Sequence, residues 1–460
     1  MVAVALDRQI ARLSKILVDS EGITFDEAQA RLRRLTLEIV VGDDAVTRAA
    51  HAAILTAVSV GSRTFVGGVR LVGAVEQRLN STLPPGAQTL SGAAELVGAS
   101  TFAGPPAQRI RIGATPQPPE EGLIWMWWSG WRAGVAPRCT PCDDGRNPLS
   151  GIAAGALAVG AAFDAVRGRA VEGSMEVDLW PTAAGEVPPV FADVFLPGAI
   201  WLVGLGNLGQ AFLWALAALP YADPSDVELV LQDRDKVSEE NWATSVLVRS
   251  EAYGELKTKV AAAWAEARGF DVRRVDRRLL AGDVLEDDDP RIALCGVDKI
   301  ASRRLMAQTG FECIVDAGLG RKASDFNRYR VTIFDAQRSI ARHFEGQADA
   351  TDGNVIPDES AYHQLQNEVG TCGTAEVAGA SVAAPHVSAI TAAVAVSRLI
   401  AITSACACRV TEVRRLSERG PKAGPYATIQ VRAVRHAGRP INFDTTTRST
   451  CESLIHSIKS

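Results

Sequence analysis

The sequence predicts an α/β protein: a Rossmann-like adenylation domain with a mostly parallel sheet, preceded by a second, degenerate α/β domain of similar kind. Apolar strand-like runs alternate with Ala-rich helical runs in both halves, and this order favours parallel sheets covered by helices. A chain of 460 residues is also too long for one ordinary core. A Pro-rich break at 181–197 predicts domains at 1–190 and 191–460.

Composition excludes several classes of protein. Hydrophobic residues make up 47% and charged residues 22%, which is typical of a globular chain. The net charge of -5 offers no basic face to nucleic acid. No segment reaches the roughly 18 uninterrupted apolar residues of a membrane helix. Eight cysteines without a regular framework suit a reducing compartment, so we expect a cytoplasmic protein that binds neither nucleic acid nor membrane.

The first half begins an α/β unit without a phosphate loop. Its predicted elements are a helix over Phe25–Leu35 capped by Thr24, a strand at Leu37–Val41, a helix over Ala45–Val58, a strand at Val69–Val72 and a helix over Leu149–Ala165. The turn after the first strand carries Asp43 and Asp44 where a phosphate cradle has glycines. Because these carboxylates repel a phosphate, we expect no nucleotide site there.

A glycine-rich turn opens the second half. A strand at Ala199–Val203 leads into Gly204-Leu-Gly206-Asn207-Leu-Gly209, followed by a helix and by a strand that ends at Asp233. In such turns the first glycine allows the tight bend, the second lets backbone approach a phosphate, and the third lets the helix pack on the strand. An acid about twenty residues on is placed for a ribose hydroxyl. The segment therefore predicts a nucleotide site, without choosing between NAD and ATP.

The residues that follow indicate ATP. Asp233, Asp235, Asn241 and Lys257 stand in an order that resembles the ubiquitin-activating superfamily, which includes ThiF and MoeB, and Leu294–Asp298 resembles its apolar strand ending in a magnesium-binding aspartate. The resemblance covers about 200–400 and implies ATP and Mg2+ as cofactors. It implies a nucleotide site made of Gly204, Gly206, Asn207, Gly209, Asp233, Asp235, Asn241 and Lys257, with Asp298 at the metal. A lysine and a divalent ion suit adenylation, because attack on the α-phosphate builds negative charge.

One position departs from that family. Relatives often carry an arginine three residues after the asparagine, but this chain has Thr244 there. Arg249 is one candidate to replace it, and an arginine of the first half is another (Arg31, Arg33 and Arg34).

Cys372 is the candidate nucleophile. It lies between Gly370 and Gly373, ahead of an apolar helix predicted over Val387–Ile400. The family has a cysteine at this place in a crossover loop, expected here near 321–380, and its thiol takes the activated carboxyl from the adenylate. A thiolate is an intrinsically good nucleophile, and we expect a glycine-flanked loop to carry it to the adenylate. Cys295 and Cys313 lie in apolar strand patterns and are expected in the core.

Zinc is unlikely. Many relatives hold zinc with two Cys-x-x-Cys pairs, whereas this chain has one, Cys139 and Cys142, in the first half. Cys406 and Cys408 have the wrong spacing for a second pair. His386, beside a proline at a helix start, is expected to cap or pack.

The resemblance implies an enzyme that adenylates the C-terminal carboxylate of a ubiquitin-like protein, forms a thioester on Cys372 and delivers it to a conjugating enzyme. Related bacterial conjugation systems are partly linked to antiviral (antiphage) defence. Residues 1–190 would be an inactive adenylation-like domain that gives a pseudo-dimer in cis, with a homodimer as the other possibility. Alternatives are a sulfur-carrier activator, an NAD-dependent oxidoreductase using the same glycine loop, and a nucleotide-binding pseudo-enzyme scaffold.

Overall fold

The structure is a computed structural model that describes residues 6–113, 123–140, 142–143, 145–169, 174–183, 186–347, 356–416, 422–423, 425–431 and 434–441. Its two larger sheets lie one in each half of the chain. The fold is therefore α/β with two sheet-bearing parts, as the alternation of apolar runs predicts.

The described part of the first half contains six strands and five helices. In chain order they are α1 (Ala11–Glu21), α2 (Phe25–Leu32), β1 (Thr36–Val41), α3 (Arg48–Gly61), β2 (Gly68–Gly73), α4 (Leu90–Leu96), β3 (Gln108–Ile112), β4 (Ile124–Ser129), β5 (Arg132–Ala136), α5 (Pro148–Val166) and β6 (Met175–Asp178). The sheet order is β2-β1-β3-β4-β5-β6. The first four strands are parallel, and β5 and β6 are antiparallel to their neighbours.

The second half builds a larger sheet. Its described elements are β7 (Ala199–Val203), α6 (Asn207–Ala217), β8 (Glu228–Gln232), α7 (Lys257–Ala267), β9 (Asp271–Val275), β10 (Ile292–Cys295), α8 (Ile300–Leu305), β11 (Cys313–Leu319), β12 (Arg328–Asp335), α9 (Ile340–His343), α10 (Ser360–Gly379), α11 (Pro385–Thr403), β13 (Ala407–Arg409), β14 (Thr411–Arg415), β15 (Lys422–Ala423) and β16 (Tyr426–Thr428). The sheet order is β15-β14-β12-β11-β10-β7-β8-β9, while β13 pairs with β16.

The two large sheets share a topology. In the second sheet β9, β8, β7, β10 and β11 are parallel, and β12, β14 and β15 are antiparallel to their neighbours. When β9, β13 and β15 are set aside, the order β8-β7-β10-β11-β12-β14 therefore repeats β2-β1-β3-β4-β5-β6 in sequence rank and direction. In each half a long apolar helix, α5 or α11, precedes the sixth of these strands.

Helices from both halves pack together in the interior. Helix α11 contacts α3 and α5 of the first half and α6 of the second. Small residues allow close approach: a Cβ added at Gly151 on α5 would lie 2.0 Å from the Ala49 carbonyl oxygen on α3. Trp214 on α6 donates its indole N–H to Thr56 on α3 at 3.0 Å. One continuous cluster of buried apolar residues thus joins the two halves.

Helices α5 and α11 are long and apolar enough to cross a membrane by length and composition alone. However, 78% and 100% of their apolar windows are buried inside the protein, as is common for core helices. Two such helices are weak support for a membrane location.

Capping explains where the observed helices begin. The predicted helix over Ala45–Val58 starts instead at Arg48, because Thr47 accepts the Ala50 amide at 3.2 Å and caps the first turn. Thr24 caps α2 as predicted, and Glu27 completes a capping box with it. Strand β7 has the predicted bounds, Ala199–Val203.

Candidate active site

The glycine turn between β7 and α6 has a distinct geometry at each of its glycines. Gly204 adopts φ +87°, and a Cβ there would lie 2.9 Å from Val297 Cγ1. A Cβ on Gly209 would lie 2.0 Å from the Gly204 carbonyl oxygen, so only glycine lets α6 pack this close to the turn. A Cβ on Gly206 would meet no atom within 4 Å. Gly206 therefore faces open space on the side from which a phosphate would approach.

Asn207, the first residue of α6, has no satisfied side chain. Its Nδ2 and Oδ1 atoms are buried, and neither has a hydrogen-bond partner among the described residues. Buried amide groups are normally paired, so an orphaned pair at a cavity wall indicates a polar ligand. Asn207 also lies at a helix N-terminus, where free backbone N–H groups favour an anion. The residues here fit the phosphates of a nucleotide.

Asp233 ties the end of β8 to the glycine turn. Its carboxylate accepts the Leu205 amide at 2.7 Å and the Asp235 amide at 2.8 Å. Asp235 in turn lies 3.3 Å from Lys257 Nζ, at the start of α7. The Lys257 side chain is only 12% exposed. Asp235 therefore holds the lysine ammonium at the site in this structure.

Asn241 ends a short 3-10 helix, Asp298 lies on a loop, and both are beside the glycine turn. The Asn241 side-chain oxygen accepts the Ser238 amide at 3.0 Å, which leaves its NH2 group to donate elsewhere. Asp298 is exposed in the loop between β10 and α8. Within the described ranges no group of three or more His, Cys, Asp or Glu could hold a metal. A lone carboxylate still fits magnesium, which is commonly bound by one or two carboxylates together with substrate phosphates.

A single cavity of about 1020 Å³ brings these residues together. Of the predicted nucleotide and metal residues, the following line it: Gly204, Gly206, Asn207, Asp233, Asp235, Asn241, Lys257 and Asp298. Gly209 lies behind the wall, against the Gly204 carbonyl. Eleven Arg and Lys residues line the cavity against six Asp and Glu, although the whole chain carries a net charge of -5. Such a local excess of positive charge suits a polyanionic ligand.

The arginine that reaches the cavity from the first half is Arg12, which the sequence reasoning missed. It lies on α1, and its Nε is 3.3 Å from Glu240. Three candidates from the sequence are engaged elsewhere: Arg249 donates to the Leu96 carbonyl, Arg31 pairs with Glu21, and Arg33 pairs with Asp7. None of Arg31, Arg33, Arg34 and Arg249 lines the cavity. Arg12 belongs to no local motif, so only the packing of the two halves reveals it.

Two arginines in the cavity wall share one buried carboxylate. Asp316 on β11 is 0% exposed, and it accepts Arg303 Nε at 2.8 Å and Arg330 Nη2 at 2.5 Å. Both guanidiniums line the cavity. Since one negative charge faces two positive charges, the cluster leaves net positive charge at this wall. It suits a phosphate or a carboxylate.

Cys372 is not in a loop. It lies in α10, in the helical segment that restarts after Gly370, which has φ +72° and ψ +172° and breaks the helix. The Thr374 hydroxyl donates to the Gly370 carbonyl at 2.9 Å. The predicted glycine-flanked crossover loop is thus wrong at this cysteine, while residues 348–355 of the expected 321–380 region lie outside the described residues.

The thiol of Cys372 is exposed but does not line the cavity. Glu376 and Gly379 of the same helix do. They follow Cys372 by four and seven residues, so all three share one helix face. The cysteine therefore lies on the face that covers the cavity, one turn beyond its edge.

Four other cysteines and His386 divide into core and surface. Cys295 and Cys313 are buried as predicted, and burial raises the pKa of the Cys295 thiol to about 12. Cys139 and Cys142 are exposed. His386 is 2% exposed at the start of α11 and packs against Gly160, so it is a packing residue as expected; burial lowers its pKa to about 4.

Comparisons with known proteins agree on one group. A family model described as the BilD N-terminal domain matches residues 36–179, and one described as the BilD C-terminal domain matches residues 196–406. The bacterial E1-like protein BilD of Collimonas sp. (strain OK412) is 33% identical over 405 residues, covering 85% of this chain and 87% of that protein.

Solved structures give more distant matches. A crystal structure of E. coli MccB with ATP is 12% identical, with a TM-score of 0.33, and the match covers 53% of this chain and 67% of that one. MccB with AMPCPP and MccA gives 12% identity and a TM-score of 0.31, covering 53% and 66%.

Proposed function

Because the chain belongs to the BilD family of bacterial E1-like proteins, we propose that it activates a small ubiquitin-like protein. An oxygen of that protein's C-terminal carboxylate attacks the α-phosphorus of ATP, and pyrophosphate leaves. The Cys372 thiolate then attacks the acyl carbon, AMP leaves, and the thioester passes to a conjugating enzyme. The observation that carries this proposal is the convergence of the glycine turn, Asp233, Lys257 and Asp298 on one cavity.

The described side chains can divide the binding of ATP among them. The amides at the start of α6 and the Asn207 side chain face phosphate, and Asp233 is placed for the ribose. The NH2 group of Asn241 would donate a hydrogen bond to a phosphate oxygen. Lys257 exchanges its contact with Asp235 for a phosphate, because an ammonium held at 3.3 Å by an exposed carboxylate is loosely bound.

Negative charge that develops on the phosphates is stabilised from several sides. Arg12 adds a positive charge from the first half, in the same cavity wall that contains Thr244. The Arg303 and Arg330 pair provides a second cationic wall for the incoming carboxylate. When bound, a magnesium ion held by Asp298 and the phosphates supplies Lewis-acid stabilisation there. Asp316 already holds Arg303 and Arg330 in place, so little reorganisation is needed at this wall as charge builds.

The position of Cys372 supports the second half-reaction. The Cys372 thiol is exposed and can therefore meet a protein substrate, and residues of its helix line the cavity. Because the thiol lies outside the lining, transfer requires the segment after Gly370 to move. The left-handed glycine conformation at that break allows such a rotation without strain.

The first half would act as an inactive adenylation-like domain in cis, with 1–190 and 191–460 as the two units. The shared strand order supports this proposal, and so do Asp43 and Asp44, which stand exposed in the turn after β1. The chain would then form a pseudo-dimer with itself, the first half contributing Arg12 to the nucleotide site of the second.

Pyrophosphate exchange tests adenylation directly. The full chain, incubated with ATP, magnesium and candidate ubiquitin-like proteins, should convert labelled pyrophosphate into ATP. Asp298→Ala and Lys257→Ala should abolish exchange, whereas Cys372→Ala should retain it and lose only the thioester. Loss of exchange in folded Cys372→Ala protein would contradict this division of roles.

Calorimetric titration separates the proposal from the oxidoreductase alternative. The chain should bind ATP in a magnesium-dependent manner, and Lys257→Ala should weaken that binding. Binding of NAD with no response to ATP would refute the activating enzyme. Binding of ATP without exchange in the presence of a cognate ubiquitin-like protein would favour the pseudo-enzyme scaffold.

A further inference from the structure

A buried arginine of the first half holds a backbone segment of the second half. Arg63, just after α3, is 6% exposed. Its Nε donates to the Ser245 carbonyl at 3.2 Å, and its Nη2 donates to the Val246 and Val248 carbonyls at 3.0 and 2.9 Å. Nη1 donates back to Ser59 on α3 at 2.9 Å. One guanidinium thus joins α3 to three nearby carbonyls of residues 245–248.

That segment continues directly from Asn241. The amides of Thr244 and Ser245 both donate to the Asn241 carbonyl, at 3.2 and 2.9 Å. The guanidinium carbon of Arg63 lies 5.9 Å from the ring centroid of Trp242, the next residue along. The backbone turn that presents the Asn241 side chain to the cavity is therefore fixed on its far side by Arg63.

Gln210 connects the same segment to the glycine turn. Its side-chain oxygen accepts the Leu247 amide at 2.9 Å, and its NH2 group donates to the Leu205 carbonyl at 3.2 Å. Gln210 is 1% exposed, so both bonds are shielded from water. Leu205 lies between Gly204 and Gly206. Hydrogen bonds thus run from α3 through residues 245–248 to the loop that cradles the nucleotide.

Burying the charged Arg63 side chain costs free energy, which indicates that the guanidinium has a role tied to its position. No described carboxylate forms an ion pair with it, so backbone carbonyls and the Trp242 ring compensate its charge. Burial, together with nearby Arg249, lowers the pKa of the Arg63 guanidinium to about 10, and the group stays charged at neutral pH. A buried charge is weak support for stability, since well-packed apolar groups often serve as well. The fork geometry of a guanidinium offers instead several directed donors at once.

We infer that Arg63 is a positioning residue of the nucleotide site, through which the first half sets the shape of the Asn241 segment and, by way of Gln210, of the glycine turn. The inference rests on the proposed function and extends it, because it gives the first half a second structural role beside Arg12. Arg63 is not among the residues that line the cavity, and it acts through the backbone that it holds.

Arg63→Ala tests the inference in the full chain. Pyrophosphate exchange should show the KM for ATP raised about 10- to 100-fold, because charge-assisted hydrogen bonds that shape the site are lost. The kcat should change less, since the altered turn contacts ATP in ground and transition states alike. Millimolar guanidinium should bind in the space left by the side chain and lower the raised KM part of the way to the wild-type value. Arg268→Ala is the matched control: that guanidinium also donates to backbone carbonyls, those of Ala217 and Leu219, but at the opposite end of α6.

A wild-type KM in Arg63→Ala, or a raised KM that guanidinium does not restore, would overturn the inference. If Arg63→Ala does not fold, Arg63→Lys keeps the charge but cannot reach all the carbonyls, and its KM for ATP should still rise. Amide hydrogen exchange gives a readout that needs no nucleotide: the amides of Leu205 and Leu247 should exchange faster in either variant. If both amides exchange faster in the variants but the wild-type chain shows no adenylating activity, the proposed function is refuted and the coupling between Arg63 and the glycine turn stands. If neither amide exchanges faster, the coupling is refuted.

Discussion

Two glycines of the same turn should respond in opposite ways to the same substitution. A methyl group at Gly206 meets no protein atom within 4 Å, whereas one at Gly209 would lie 2.0 Å from the Gly204 carbonyl oxygen. Gly206→Ala therefore adds volume only to the cavity, and Gly209→Ala adds it only to the packing of α6. The pair separates ligand binding from stability within one loop.

The magnitudes follow from these distances. At Gly206, the N-cap of α6, alanine loses about 0.5–1 kcal/mol as a cap and regains about 0.4–1 kcal/mol from the less flexible unfolded chain, so stability stays nearly constant. At Gly209 the overlap with a backbone oxygen should cost about 1–3 kcal/mol or more. A methyl in the phosphate path of Gly206 should weaken ATP binding about 10- to 100-fold for each amide bond lost.

Calorimetric titration with ATP and magnesium, combined with urea unfolding, measures both quantities. Gly206→Ala should unfold at the wild-type urea midpoint and bind ATP weakly. Gly209→Ala should unfold at a lower midpoint. Wild-type ATP affinity in Gly206→Ala would show that phosphate does not approach this side of the turn, and the assignment of the cavity as the nucleotide site would fail.

Three further predictions concern the surrounding groups. Arg12→Ala should raise the KM for ATP about 10-fold without lowering the unfolding free energy, since its pairing is partly exposed and worth little; an unchanged KM would exclude it from the site. Asp316→Asn should lower the unfolding free energy in urea by about 3–5 kcal/mol, because Arg303 and Arg330 lose their shared counter-charge. A loss no larger than that caused by removing the partly exposed Arg12–Glu240 pair would contradict this. The pKa of His386 is about 4 in the folded chain and 6.5 in the unfolded chain. Its contribution to the unfolding free energy is therefore complete above pH 6.5 and declines by about 1.4 kcal/mol per pH unit down to pH 4. Between those pH values the urea midpoint should fall less steeply in His386→Gln than in the wild type.

The sequence predicts structure correctly where the determining residues are contiguous in the chain. Strand β7, the glycine turn and the buried positions of Cys295 and Cys313 follow from runs of a few residues whose local physics is decisive. The Rossmann-like architecture follows from the same alternation. Local signals also place Asp233 at the end of a strand, which is where such an acid meets the turn.

Residues whose contacts are distant in the chain could not be predicted from the sequence. Arg12 reaches the cavity from α1, and Arg303 meets Asp316 and Arg330 only because strands and loops fold together. At Cys372 the surrounding glycines favoured a loop, yet the segment is helical because a single glycine absorbs the break and the helix continues over the cavity. Tertiary packing overrides propensity in such a segment.

The two halves share a strand order but differ in the turn that follows β1 in the first half and β7 in the second. The turn after β7 has open space at Gly206, and the turn after β1 has the exposed carboxylates of Asp43 and Asp44. An anion is favoured in the turn after β7 and repelled in the turn after β1. A half that cannot bind nucleotide can still supply groups to the half that does, and Arg12 and Arg63 both extend from it toward the second half. Because α3, α5, α6 and α11 share one core, these side chains are held at fixed positions relative to the site. The first half would therefore be retained for the geometry that it imposes, which a free second half could not reproduce.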